Sequence, residues 1–390
     1  MSSPTRVALL AACFAVAGTA VHAQQGVPAP TKPPEAAQGQ PTLGERAGQL
    51  VDRVTGNPAA SADIDMRRVL DAHAALNPKP IEGLTPEEAR KQPSPADAVK
   101  ALLQKEGKDP AALNAKAGVK TQDMSYETAG GTQPLRIYTP STAAQGGAKL
   151  PVVVYYHGGW VIADIATYDA TPRAMAEKAN AIFVSVEYRF APENKFPAAH
   201  DDAVAAYKWV LANAERLGGD PARIAVMGES AGGNLAINTA IAARDQNLQA
   251  PVHQVLIYPV GGVNTDTPSY RENENAKPLN KAMIGWFVGH LTKGEQDKQD
   301  ARLDVIGKAN LSGLPSATII TAQIDPLMSD GQMLNEKLTG AGVAVRYQNY
   351  EGATHEFFGM SSVVAKAESA QTLVAQELQK AFAAQKRAAN

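Results

Sequence analysis

The residues best suited to chemistry in this chain are Ser230, inside "GESAGG" (Gly228–Gly233), and the histidines and acids that can activate it. A serine hydroxyl is a poor nucleophile until a base takes its proton, and the base needs an acid to orient it. Beyond the first 23 residues, histidines stand at 73, 157, 200, 253, 290 and 355. His355 lies in "YEGATHEFFG", a glycine-flanked loop after the last strand pattern, where a side chain can reach over a sheet edge. Asp325, in "QIDPLMSDG", falls just past a strand pattern that Pro326 stops from pairing further. Asp330 is the weaker acid candidate, because it already lies in the next helix pattern. Attack on an acyl carbon also needs N–H donors for the developing oxyanion. Gly158 and Gly159 of "YYHGGW" and the N–H of Ala231 are the candidates, with His157 expected to brace its loop rather than act as a base. A metal-binding reading of "AHDDA", His200 to Asp202, is weaker than two acids stabilising a helix start. This chemistry requires no metal and no cofactor.

A Gly-x-Ser-x-Gly pattern by itself is cheap, and its meaning depends on the elements around it. Here the strand pattern "ARIAVM" stands immediately before it and the helix pattern "SAGGNLAINTAIAA" immediately after. A strand-to-helix turn this tight pushes the serine into an awkward backbone conformation and needs glycine two residues to either side. Around it, residues 119–140 read as a hairpin with a Gly130-Gly131 turn, and strands then alternate with helices. "LPVVVYY", "AIFVSVEYR", "ARIAVMG", "VHQVLIYPV", "SATIITAQID" and "AVRYQNY" are the strands. Near-continuous apolar runs of this kind suit a sheet covered on both faces. The expected architecture is α/β: a mostly parallel sheet of about eight strands with helices on both faces, its ligands beyond the carboxyl ends of the strands. The order Ser230, Asp325, His355 is that of the alpha/beta hydrolase fold.

The ends and insertions add organisation rather than chemistry. Residues 1–23, with Arg6, an apolar run and small residues at Val21 and Ala23, read as a cleaved export signal; a lipoprotein site at Cys13 leaves too short an apolar core. Residues 24–60 are a Pro/Gln/Ala-rich leader expected to be disordered. The hydrolase domain is expected over 61–390. Its cap is built from 61–115, where amphipathic patterns place Ile64, Val69, Leu70 and Ala74 on one side, and from 262–311, which holds the helix pattern "KAMIGWFVGHL". Loss of the signal takes away Arg6 and Cys13, the single cysteine, so no disulfide and no cysteine nucleophile is expected. The 37 basic residues less Arg6, against 39 acidic ones, leave a formal charge of −3. No basic face for nucleic acid follows from that balance, and no stable membrane anchor is expected. An exposed strand edge is compatible with a homodimer.

Taken together, "HGGW", "VSVEYRFAPENKFPAAHDDA", "GDPARIAVMGESAGGNLA", "LSGLPSATIITAQIDPL" and "YEGATHEFF" resemble the hormone-sensitive-lipase-like esterases, the bacterial family IV carboxylesterases. The resemblance runs from about residue 62 to the end, five separated motifs in order. It implies a serine carboxylesterase with a helical cap and a small-molecule ester of short to medium acyl chain as substrate. By position its nucleophile falls on Ser230, its acid on Asp325, its base on His355, and its oxyanion donors on Gly158, Gly159 and Ala231. Two positions depart from the pattern. Trp160 stands where a third glycine is usual, and Glu356 follows His355 where glycine is usual.

Overall fold

The computed structural model describes residues 61–112, 118–142 and 149–388. The expected signal and leader, residues 1–60, lie outside them.

Eight strands form one sheet in the order β1-β2-β4-β3-β5-β6-β7-β8. They are β1 Lys120–Thr128, β2 Gly131–Thr139, β3 Leu150–Tyr156, β4 Ile182–Val186, β5 Gly219–Glu229, β6 Gln254–Ile257, β7 Ala317–Ile324 and β8 Val345–Thr354. The β1–β2 hairpin and the β2–β4 pair are antiparallel; every other pairing is parallel. Alternation along the strands divides the core. Val153, Tyr155, Phe183, Ala225 and Met227 point to one face, while Val152, Val154, Ile182, Ile224 and Val226 point to the other, all essentially inaccessible to solvent. Helices α3 (Ala170–Ala179) and α8 (Ala365–Ala388) cover the first face. Helices α4 (Ala198–Asn213), α5 (Ala231–Asp245) and α7 (Met328–Gly340) cover the second. Apolar strands follow from this burial on both sides.

Two helices precede the sheet. In α1 (Ile64–Ala75) the buried stripe is Met66, Val69 and Leu70, whereas Ile64 is 37% exposed and Ala74 is exposed, so the packed face is turned from the one expected. The reason is the docking of α1 on α2 (Pro95–Lys105) and β8, which selects the i, i+3, i+4 set beginning at Met66. Helix α2 starts as its sequence requires, with Ser94 accepting from Asp97 N at 3.2 Å, Asp97 Oδ2 accepting from Ser94 N at 3.0 Å, and Pro95 at its first position. In α4, which packs on α5, Ala203, Ala206, Tyr207 and Val210 are buried while Val204 and Leu211 are only half-buried. The insertion after β6 carries α6, Lys281–Leu291, where the pattern places it, with Asn280 capping it by accepting from Met283 N at 2.8 Å. The end of the insertion, at Leu303, Val305 and Leu311, packs into the core of the second face.

Candidate active site

Strand β5 ends at Glu229, α5 begins at Ala231, and Ser230 alone makes the turn with φ 56° and ψ −117°. Positive φ at a serine is strained, and the surroundings impose it. Ser230 N donates to Ile257 O at 2.9 Å, and Ser230 O accepts from Asn234 N and Val260 N, both at 3.2 Å. The flanking glycines are needed for space. A Cβ at Gly228 would sit 2.0 Å from Gly232 O, and one at Gly232 would sit 2.0 Å from Tyr156 O.

The candidates scattered over three strand ends meet here. His355, in the loop after β8, places Nε2 3.0 Å from Ser230 Oγ and Nδ1 2.7 Å from Asp325 Oδ2. Asp325 is fully buried just past β7, and its other oxygen accepts from Leu327 N at 2.9 Å, which fixes the carboxylate. Asp330, the weaker acid candidate, does not join them. Burial pushes its carboxyl up to about 7, and it accepts from Gly261 N and Gly262 N at 3.0 and 3.3 Å, holding the loop after β6.

Strand β3 delivers the glycine loop to the same rim. The N–H groups of Gly158 and Gly159 donate to no protein acceptor among the described residues. Ala231 opens α5, where a helix leaves its N–H groups without internal partners. Gly159 and Ala231 line a cavity of about 940 Å³ together with Ser230 and His355. Gly158 sits behind that wall, so close to Tyr168 that a Cβ would lie 2.3 Å from its hydroxyl. His157 braces this loop: Nδ1 lies 2.8 Å from Gly158 O, Nε2 lies 3.0 Å from the Glu187 carboxylate, and the ring stacks on Tyr188 at 4.5 Å. Trp160 is buried in the cavity wall at φ 21°.

"AHDDA" divides differently from the expectation. Asp201 lies in the first turn of α4, but Asp202 is buried and pairs with Arg189, at 2.8 Å to Nε and 2.7 Å to Nη2. His200 is buried too, its Nε2 2.9 Å from Asn234 Oδ1, and burial drives its pKa down to about 4.

Three groups near the site escaped the sequence reading. Glu229 is buried beneath the turn and accepts from the hydroxyls of Tyr155, at 2.6 Å, and Tyr258. Burial raises its pKa, against those two hydrogen bonds. Arg90, from the N-terminal segment, donates to Val161 O at 2.7 Å, to Ala191 O at 2.9 Å, and to both oxygens of Glu193 at 2.8 and 2.7 Å. Tyr168 donates to Glu356 Oε1 at 2.5 Å. Burial works to lower the pKa of His355, but the Asp325 charge and hydrogen bond, with Glu356 and Glu229, outweigh it and hold the imidazole above its ordinary value.

Two further segments contribute apolar side chains to the cavity wall. Leu70, Ile81 and Pro93 stand on one side, and Leu279, Ile284 and Phe287 on the other. A cavity with apolar side chains on part of its wall thus lies over a hydrogen-bonded serine, histidine and aspartate, with free N–H groups alongside.

Such a fold and site define a class. A family model described as alpha/beta hydrolase fold matches residues 153–359, and the chain belongs to that family, in its hormone-sensitive-lipase-like branch. Among similar proteins is a carboxylesterase, NlhH, of Mycobacterium tuberculosis, 43% identical over 242 residues, covering 61% of this chain and 75% of the relative. An ethyl acetate hydrolase of Pseudomonas putida is 32% identical over 305 residues, 77% of this chain and 92% of that protein. Among solved structures, a hyperthermophilic esterase from the archaeon Pyrobaculum calidifontis superposes with a TM-score of 0.71 at 33% identity, covering 82% of this chain and 98% of that one.

Proposed function

We propose that this protein is a serine carboxylesterase that hydrolyses short- to medium-chain acyl esters through an acyl-enzyme. The observation that carries the reading is the unbroken path Asp325–His355–Ser230 opening into the cavity. Relatives named as carboxylesterase and ethyl acetate hydrolase support it. Asp325 accepts a hydrogen bond from the Nδ1–H of His355 and so leaves Nε2 free to receive the proton of Ser230 Oγ as the oxygen attacks the acyl carbon. The carbonyl π pair moves onto oxygen, and the N–H groups of Gly159 and Ala231, which line the cavity, hold that charge, whereas Gly158 supports them from behind the wall. As the intermediate collapses, the alkoxide leaves and takes the proton back from His355. Water, deprotonated by the same nitrogen, then attacks the acyl-enzyme; the carboxylic acid departs and Ser230 recovers its proton.

In this reading the segments that bring Leu70, Ile81, Leu279 and Phe287 to the cavity act as a cap, and their apolar surface receives an acyl or alcohol chain. Residues 1–23 direct export to the periplasm or beyond. No helix among the described residues is long and apolar enough to cross a membrane.

The test is a matched series of ester, thioester and anilide on the purified protein, with the ester varied from acetyl to decanoyl. Hydrolysis of the esters, fastest at short to medium chains, is the expected result. Preference for the thioester or anilide makes the protein a thioesterase or amidase on the same machinery, and no turnover at all removes the catalytic reading.

A pH profile follows from His355. The base must be neutral to accept a proton, and its pKa is raised from the ordinary 6.5. Activity is therefore full above that raised value and lost as pH falls through it. A plot of kcat/KM against pH is expected to show a single acid limb with its midpoint above 6.5.

A further inference from the structure

Glu356 does two things that the triad does not explain. Its backbone is left-handed, at φ 70° and ψ −3°, a conformation that suits glycine and is unfavourable for glutamate. Its side chain accepts from the hydroxyl of Tyr168, 188 residues away in the chain, at 2.5 Å. Tyr168 is itself buried, and its hydroxyl lies against Gly158, where no Cβ can be accommodated. A single tyrosine oxygen thus touches the glycine loop from β3 and the residue that follows the base. Strain retained at a site that glycine would relieve is an observation pointing to use.

We propose that the Tyr168–Glu356 pair is a crossbrace fixing the His355 loop against the Gly158–Gly159 loop, and that Glu356 is a positioning residue for ester hydrolysis. This rests on the reading of Ser230 and His355 given above. The brace sets base and oxyanion donors at one separation, so that the proton path and the N–H groups stay aligned through the cycle. The carboxylate adds a second effect, its charge favouring the protonated imidazole. Around His355 stand Asp325 from the end of β7, Glu229 from the end of β5, the Tyr258 ring from the end of β6 at 4.5 Å, and Glu356 with its partner Tyr168. Of these, Asp325, Glu356 and Glu229 each favour the protonated ring.

Three variants separate the roles. Glu356→Gly removes brace and charge while relieving the backbone. Its Tm is expected to hold or rise, while kcat falls about tenfold or more and KM stays within about twofold. Tyr168→Phe keeps the charge and breaks the brace, with a similar fall in kcat; the double variant is expected to be no worse than either single one. Glu356→Gln keeps an acceptor for the tyrosine but removes the charge. Its acid limb is expected to move to lower pH, with a smaller loss of kcat than in Glu356→Gly.

The brace is overturned if Glu356→Gly retains wild-type kcat, if kcat and Tm fall together, or if the two single losses simply multiply. An unmoved acid limb in Glu356→Gln overturns the electrostatic half. Ester turnover by the wild type, measured first, separates these failures from failure of the function itself.

Discussion

Ser230→Ala is expected to lower kcat/KM for a chromogenic ester by about 10⁶-fold while leaving the far-ultraviolet circular dichroism and Tm unchanged. The substitution deletes only Oγ, 3.0 Å from His355 Nε2, so the fold has little reason to respond. What survives is the free N–H groups and the apolar cavity, which bind and polarise an ester without attacking it. Asp325→Asn is expected to cost about 10⁴-fold, because Leu327 N holds the amide oxygen and turns the NH2 donor toward Nδ1, so that the imidazole settles in the tautomer with Nε2 protonated. Combining Ser230→Ala with His355→Ala should add little, and Asp325→Asn combined with either should fall no lower than Ser230→Ala alone, since the three groups act as one path. Retention of activity within about tenfold in Ser230→Ala would place the chemistry elsewhere.

The largest expected effect on stability lies two residues further along. Gly232→Ala introduces a Cβ that would stand 2.0 Å from Tyr156 O and 2.6 Å from His157 O. Both are backbone atoms, so no rotamer change can make room. Helix α5 must then back away from β3, which also drags Ser230 from the glycine loop. The expected loss is about 4 kcal/mol or more, read as a urea midpoint shift with unchanged m. Gly285→Ala provides the contrast. It lies inside α6 with nothing within 4 Å of the added methyl, so the substitution should be neutral or stabilising by about 0.5–1 kcal/mol. Equal tolerance of both alanines would show that the tight approach of α5 to β3 is not needed.

Much of this architecture is legible in the sequence because it is written locally. The alternation of apolar strand runs with helical patterns marks β3 to β8 and their intervening helices, Gly130-Gly131 marks the hairpin, and Ser94-Pro95 marks the start of α2. The turn at Ser230 is recognisable because strand, glycines and helix all fall within a few residues. Asp325 and His355 are legible through their places just after strand ends, and the structure brings both to Ser230.

What stays hidden depends on partners far along the chain. The buried stripe of α1 is chosen by α2 and β8, since its own pattern allows Ile64 or Met66 to face inward. Asp202 looks like a helix-start acid until Arg189 is seen beside it. Tyr168 meets Glu356, and Arg90 meets Val161, Ala191 and Glu193, with no local signal in either case. Glu229 is the exception, since it lies within the serine motif at the end of an apolar strand; a charge there is itself a cue that something must satisfy it.

The Arg90 contacts also bear on how such proteins can be re-engineered. A guanidinium carried by the N-terminal segment holds the carbonyl oxygens of Val161 and Ala191, the first of them one residue past Trp160. On the proposed reading, the N-terminal segment and the glycine loop are therefore not interchangeable modules. Grafting the front segment of a relative onto this body transplants or abolishes a fastener of the glycine loop, so selectivity and turnover would change together unless residue 90 and its docking carbonyls travel as one unit.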